Sequence, residues 1–178
     1  MERGMTRPFA VAIGSNLGDR RGLLSDAASA LMRDERVRLP RAAGIYESSP
    51  AEGVPGGCFL NTAVSGLWVS DARALLDLCR SIELAAGSET EKHGRARRLD
   101  MDLLYLGSEV VVESDLVLPH PGIARRLFVL APLADLLGDR PVPCLGVPAP
   151  ELMARLDGSG DIRIMEKTPS PGEIWSRA

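Results

Sequence analysis

Between Arg97 and Gly107 the chain reads RRLDMDLLYLG, an apolar run of strand length in which two acids stand two residues apart. Successive side chains of a β-strand alternate faces, so Asp100 and Asp102 project to one side, about 6.6 Å apart along the chain. If that side is buried, two carboxylates are costly unless cations or hydrogen-bond donors compensate them. Mg²⁺ takes carboxylate oxygens together with substrate phosphates, and Arg95, Arg97 and Arg98 lie just upstream, as a polyanion site requires. By itself a D-x-D pattern also fits a strand with one solvated face and a polar entry loop. The neighbouring segments decide between the two.

Those segments alternate between strand and helix. Phe9 to Ile13 (FAVAI) reads as a short buried strand ending at Gly14, after which Asp19 caps a helix with Leu24, Ala27, Ala28 and Leu31 at helical spacing. Val37 to Tyr46 is a weaker strand interrupted by Pro40 and Gly44, and the Gly-, Pro- and Ser-rich stretch from Glu47 to Cys58 is a loop. Phe59 to Val69 is a strand. Ser70 or Asp71 then opens a helix with Leu75, Leu78, Cys79, Ile82, Ala85 and Ala86 on one stripe, closed by Gly87. From Gly87 to Arg98 there is no periodicity and little apolar content, the character of an active-site lid. After the acid-bearing strand, Glu109 to Glu113 (EVVVE) reads as the return strand of a hairpin turning at Gly107 and Ser108. Ile123 to Leu137 carries a helix or two helical turns broken at Pro132, Glu151 to Leu156 a short helix, and Asp161 to Lys167 a last strand. The order predicts an α+β sandwich along βαββαβ lines, an antiparallel sheet with helices on one face.

With 178 residues and 45% hydrophobic content the chain can bury one proper core, so a single domain is expected over 1–178, its motif-bearing core at about 9–137 and a C-terminal extension at 138–178. A net charge of −3, a pI near 5.5 and only 4% aromatic residues argue against a nucleic-acid surface, including an RNA-binding sheet face. Cys58, Cys79 and Cys144 are odd in number and lack metal-ligand spacing, which points to reduced thiols in the cytoplasm, with Cys79 in the core. No apolar run approaches about 18 residues and MERGMTRP lacks a signal-peptide apolar region, so neither membrane insertion nor secretion is expected. A P-loop element, GxxxxGK[ST], does not occur.

AIGSNLGDR near the start, the run from Pro50 to Asn61 ending in FLN, RRLDMDLL, and LPHPGIARRLFVLAPL occur in that order. Together they resemble 6-hydroxymethyl-7,8-dihydropterin pyrophosphokinase of folate biosynthesis, from about Ala10 to Leu136. The resemblance implies a ferredoxin-like fold and transfer of pyrophosphate from MgATP to the pterin hydroxymethyl group, releasing AMP. It implies that Asp100 and Asp102 hold two Mg²⁺ ions. By the same resemblance Arg97 would act in catalysis, and Glu83, Arg95, Arg97, Arg98, His120 and Arg126 would meet ATP. Phe59 and Phe128 would stack on the pterin, with Asn61 and the loop Ser49, Pro50 and Ala51 at its polar edge.

These residue types suit the chemistry. Phosphoryl-type transfer depends on positioning and on neutralising charge. A flat heteroaromatic requires apolar faces and in-plane hydrogen bonds, and Asn61, on the same strand face as Phe59, offers donor and acceptor together. Taken singly, each phenylalanine reads as core, Asn61 as a strand-edge polar residue, His120 as a satisfied turn histidine and Glu83 as a solvated helix residue; the motifs shift those readings toward function. Gly14, Ser15 and Asn16 read mainly as fold architecture. The lid departs from the family pattern, with Ser88, Glu89, Thr90 and Glu91 in place of basic residues and His93 in place of the usual aromatic, and Glu52 intrudes into the other loop. A non-catalytic pterin- or nucleotide-binding paralogue is therefore the alternative to an active enzyme.

Overall fold

Two aspartates set the first two helices. In the computed structural model, which describes residues 6–50, 56–88, 97–156, 161–170, 173 and 175, Asp19 accepts the amide hydrogen of Gly22 at 3.0 Å and Asp71 that of Ala74 at 2.7 Å. Each cap satisfies an amide that the first turn leaves without a helical partner. The elements run β1 (Arg7–Ser15), α1 (Arg20–Met32), β2 (Val37–Ala42), β3 (Ile45–Ser48), β4 (Phe59–Trp68), α2 (Ala72–Ala85), β5 (Asp100–Leu106), β6 (Val111–Val112) and β7 (Val117–Leu118). A 3₁₀ turn at Ile123–Arg125, α3 (Leu127–Leu137), α4 (Ala149–Ala154) and β8 (Ile162–Glu166) complete the chain. Among the described residues no helix is long and apolar enough to cross a membrane.

The main sheet is antiparallel, in the order β5-β1-β4-β3-β8, with β2 also paired to β4. The expected strand Val37 to Tyr46 is two strands on one partner, because the chain bends between them where the Ala43 amide donates to the Ala63 carbonyl at 2.8 Å. No side chain fits at that bend: a Cβ on Gly44 would stand 2.6 Å from the Glu166 carbonyl. The C-terminal segment supplies β8 and sends Trp175 back into the larger core.

Helices cover both faces, where one covered face was expected. Phe9, Val11, Ile13, Val64, Met101 and Leu103 pack with Leu24 and Leu31 of α1 and Leu75 and Cys79 of α2. On the other face Ala10, Leu104 and Tyr105 meet Leu130 and Leu133 of α3 and Leu152 of α4. The reason is in α3 itself: LFVLAPLADLL is apolar almost all round and buries six residues, so it needs its own sheet surface. Pro132 lies inside α3 without breaking it. The break falls upstream at Arg126, whose extended backbone (φ −126°, ψ 108°) separates the 3₁₀ turn from the helix.

The expected hairpin of Glu109 to Glu113 on β5 does not form; β6 pairs with β7 in a separate two-stranded sheet. The outer edge of β5 is already taken. Ser88 Oγ receives the Leu99 amide at 2.9 Å, Glu83 Oε1 receives the Met101 amide at 2.8 Å, and the Leu104 carbonyl accepts from the His120 amide at 2.8 Å. An edge whose groups are paired cannot add a strand.

Candidate active site

Register across the sheet assembles the site. Gly14 of β1 lies opposite Asn61 on one side and Asp100 on the other, and Ala12 lies opposite Ala63 and Asp102. Tyr46 of β3 faces Asn61 in turn, and Ser48 faces Phe59. Cross-strand partners share a face, so Tyr46, Asn61, Gly14 and Asp100 form one row, with Asp102 and Phe59 in the rows beside it. This is the face on which α3 and α4 pack toward the Ala10 end.

Three basic side chains converge on the two acids. Arg97 Nη1 lies 2.5 Å from Asp100 Oδ1, while His120 Nε2 and Arg126 Nη1 each lie 3.9 Å from Asp102 Oδ2. His120 Nδ1 accepts the Gly122 amide hydrogen at 3.0 Å, so the neutral ring carries its proton on Nε2, facing Asp102. Burial holds this imidazole below its ordinary pKa; Asp102 pushes the other way and Arg126 adds to the lowering. His120 is thus a neutral donor at pH 7. Arg97 is placed by Asn16, whose Oδ1 accepts the Arg97 amide at 2.7 Å and whose own amide donates to the Arg97 carbonyl at 3.1 Å.

Beside the acids on this face stand Asn61 and Phe59. Asn61 is buried, and its Nδ2 donates to Ser48 Oγ at 2.9 Å and toward the Tyr46 carbonyl at 3.4 Å. A Cβ on Gly14 would sit 3.4 Å from Asn61 Oδ1 and 3.9 Å from Phe59 Cδ1, so any side chain there would stand against both. Phe59 is half-buried and Phe128, in the first turn of α3, is 37% exposed; neither joins a core cluster. The Arg126 guanidinium stands 5.9 Å from the Phe128 ring centroid. At the other end of α3, Asp135 accepts from the Gly44 amide and the Tyr46 hydroxyl, each at 2.9 Å, fixing the helix to β3. Arg20 donates to the Cys58 carbonyl at 2.5 Å and pairs with Glu47 at 3.5 Å, so the start of α1 holds both ends of the loop containing Ser49 and Pro50.

Arg97, Asp100, Asp102, His120 and Arg126 are therefore brought together, with Phe59, Asn61 and Phe128 on the elements beside them. Two predicted residues lie elsewhere. Glu83 is buried at the back of β5 with its carboxylate on the Met101 amide, and Arg98 is exposed with Nε on the Ala86 carbonyl at 3.0 Å, at the end of α2. Ala51 and Arg95 fall outside the described residues, as do Glu52, His93 and most of the lid. Ser48, Gly14 and the Tyr46–Asp135 pair were not foreseen. Ser48 continues β3 far enough to pair with Phe59 of β4, but the Ser-Ser-Pro composition disguised the end of that strand as loop.

No group of three or more His, Cys, Asp or Glu side chains able to hold a metal ion occurs among the described residues. Two same-face carboxylates nonetheless offer the hard oxygens that Mg²⁺ prefers, and Mg²⁺ characteristically completes its shell with substrate phosphates and water. The donor set fits an ion shared with a triphosphate.

Comparison with known proteins bears on what this arrangement is for. The model of the 7,8-dihydro-6-hydroxymethylpterin-pyrophosphokinase (HPPK) family matches residues 10–138. A 2-amino-4-hydroxy-6-hydroxymethyldihydropteridine pyrophosphokinase of Methylorubrum extorquens is 34% identical over 160 residues, 90% of this chain and 99% of its own length. Its Bacillus subtilis namesake is 36% identical over 126 residues, 71% of this chain and 75% of that one. The bifunctional protein FolKE of Lactococcus lactis is 33% identical over 129 residues; the chain spans 37% of that protein's length. Among solved structures, the Plasmodium falciparum HPPK-DHPS triple mutant superposes with a TM-score of 0.65 at 13% identity, over 86% of this chain and 44% of that one, a likeness of fold. Matched over most of its length by the family model and over nearly the whole of the Methylorubrum relative, the chain belongs to the 7,8-dihydro-6-hydroxymethylpterin-pyrophosphokinase family.

Proposed function

We propose that the protein transfers pyrophosphate from MgATP to the hydroxymethyl oxygen of 6-hydroxymethyl-7,8-dihydropterin, giving AMP and the pterin diphosphate in folate biosynthesis. The observation that carries this reading is the convergence of Arg97, His120 and Arg126 on the same-face pair Asp100 and Asp102, one row from Asn61. In the transfer the hydroxymethyl oxygen bonds to the β-phosphorus as the bond to the α-phosphate oxygen breaks; AMP leaves and the hydroxyl proton is lost. Two Mg²⁺ ions held by Asp100, Asp102 and the triphosphate would neutralise phosphate charge and acidify the attacking hydroxyl.

The chain's own residues supply the rest. Arg97 and Arg126 offset charge on the phosphates, and the planar Arg97 guanidinium can do so in bidentate fashion. His120 donates from Nε2 without adding a like charge beside Arg126. Phe59 and Phe128 flank the pterin, whose polar edge meets Asn61; the amide of Asn61 is oriented by Ser48. In the family pattern Ser49, Pro50 and Ala51 meet the same substrate and Arg95 and Arg98 the nucleotide; that pattern puts Glu83 with them, whereas its carboxylate here holds the Met101 amide. Three free cysteines support work in a reducing cytoplasm. The paralogue alternative rests on the altered lid alone and is not favoured.

Incubation with MgATP and the dihydropterin followed by nucleotide analysis tests the proposal: AMP supports it, ADP indicates a simple kinase, and neither product favours the paralogue. Asp100→Asn or Asp102→Asn should cut AMP release by about 10²–10³-fold, the scale of losing one transition-state charge contact, while pterin binding by calorimetry stays near wild type. Unchanged turnover in both variants would remove the acids from the chemistry.

A further inference from the structure

Among the described residues β5 is an edge strand: β1 pairs on one side and no other strand of the sheet lies on the other. The free amides of such an edge must find partners, and the two nearest the site find different ones. The Leu99 amide goes to Ser88 Oγ, whose hydroxyl returns a hydrogen bond to the Leu99 carbonyl at 2.8 Å. The Met101 amide goes to a carboxylate, Glu83 Oε1, at 2.8 Å. Met101 is the residue between Asp100 and Asp102, and its side chain is buried in the core on the opposite face. Glu83 itself is only 7% exposed. Burying a carboxylate is expensive, and at Leu99 a hydroxyl suffices for the same kind of contact; the charge-assisted bond at Met101 is the stronger tether.

We propose that Glu83 is a positioning residue that fixes the Asp100–Met101–Asp102 backbone and so holds the two carboxylates in their mutual placement, rather than a nucleotide contact. The inference rests on the reading of Asp100 and Asp102 as the acids of the transfer. The Met101 peptide is tethered from behind by Glu83 and from the side by β1, with Asp100 opposite Gly14 and Asp102 opposite Ala12. Supporting residues one step behind metal-binding acids typically contribute about 10–100-fold in activity or metal affinity, because ångström shifts of reacting groups are amplified in rate.

The test uses four chains: wild type, Glu83→Ala, Glu83→Gln and Glu83→Asp. Glutamine keeps a carbonyl oxygen at the right reach without charge; aspartate keeps the charge and loses the reach. Two readouts are taken: hydrogen exchange of the Met101 amide by NMR on protein without nucleotide or metal, and kcat, ATP KM and pterin Kd with MgATP. Positioning predicts faster Met101 exchange and about 10–100-fold lower kcat in the alanine and aspartate variants, with ATP KM and pterin Kd unchanged, and glutamine, which keeps the reach without the charge, falling between wild type and alanine on both readouts. If glutamine fails with alanine, aspartate survives, and the loss lies in ATP KM, Glu83 acts by charge on the nucleotide and the proposal is overturned. Unchanged Met101 exchange in Glu83→Ala overturns it as well. Should Glu83→Ala fail to fold, glutamine against aspartate still separates reach from charge. If wild type released no AMP, the functional reading would fall, while the exchange data would still decide whether Glu83 holds the strand.

Discussion

Gly14 lies between Asn61 and Asp100 on the face that carries the candidate site. Its backbone has no need of glycine's conformational freedom, for it is ordinary strand paired on both sides, and a single Cβ would meet Asn61 Oδ1 and Phe59 Cδ1 at 3.4 and 3.9 Å without a severe clash. What a side chain would do is occupy the space between Asn61 and Asp100. Gly14→Val should therefore weaken pterin binding by tenfold or more, about 1.4 kcal/mol or above, while the thermal midpoint holds or rises because valine favours strands. Calorimetric titration that finds wild-type affinity would place the pterin away from Gly14. At this scale the shared face of the candidate residues was legible. Asp100, Asp102, Phe59 and Asn61 follow from alternation plus motif, since a period of two fixes which side chains share a face. The partners that hold them were not legible, because Asp135 reaches Tyr46 across 89 positions and Glu83 reaches Met101 across 18; local periodicity carries no information about such contacts.

At the scale of elements, β2 stores a local cost. Leu39 has φ +49° and is 77% exposed, at the irregularity where Arg38 and Arg41 pair with Leu67 and Ser65. The left-handed region costs an ordinary residue about 1–2 kcal/mol, and glycine's added freedom in the unfolded chain returns about 0.5–1 of that. Leu39→Gly should stabilise the protein by roughly 0.5–1 kcal/mol, seen as a higher urea midpoint at unchanged slope. A lower midpoint would mean that Leu39 makes contacts worth more than its strain. Elements with local signals were readable from sequence: Asp19 and Asp71 as caps, the apolar stripe of α2, and Gly87, whose φ of +75° ends that helix. Elements decided by competition were not. EVVVE has every property of a strand, yet whether it could join β5 depended on Glu83, Ser88 and His120 having already taken that edge.

For the whole molecule, the attachment of the second helical layer can be followed through the only two tyrosines in the chain, Tyr46 and Tyr105. Tyr105 is buried in the α3–α4 cluster, and Tyr46 donates to Asp135 of α3. Both phenols are pushed above the usual range, Tyr46 by burial first and then by the Asp135 carboxylate, Tyr105 by burial first and then by Cys144, against a small lowering from Arg140. A phenol whose pKa is raised in the folded state keeps its proton at pH values where the unfolded chain has lost it. The folded state is then favoured fully below about pH 10, and that advantage drains away as pH rises above it. Absorbance at 295 nm should show little phenolate in the folded protein at pH 10, a sharp rise only where circular dichroism reports unfolding, and a return to ordinary titration near pH 10 in urea. Tyr46→Phe should lessen the alkaline loss of stability, because it removes one of the two linked protons. Smooth titration of both phenols near pH 10 with the fold intact would show that α3 and α4 are not seated on the sheet, and the placement of Arg126 and Phe128 beside the acids would fall with them.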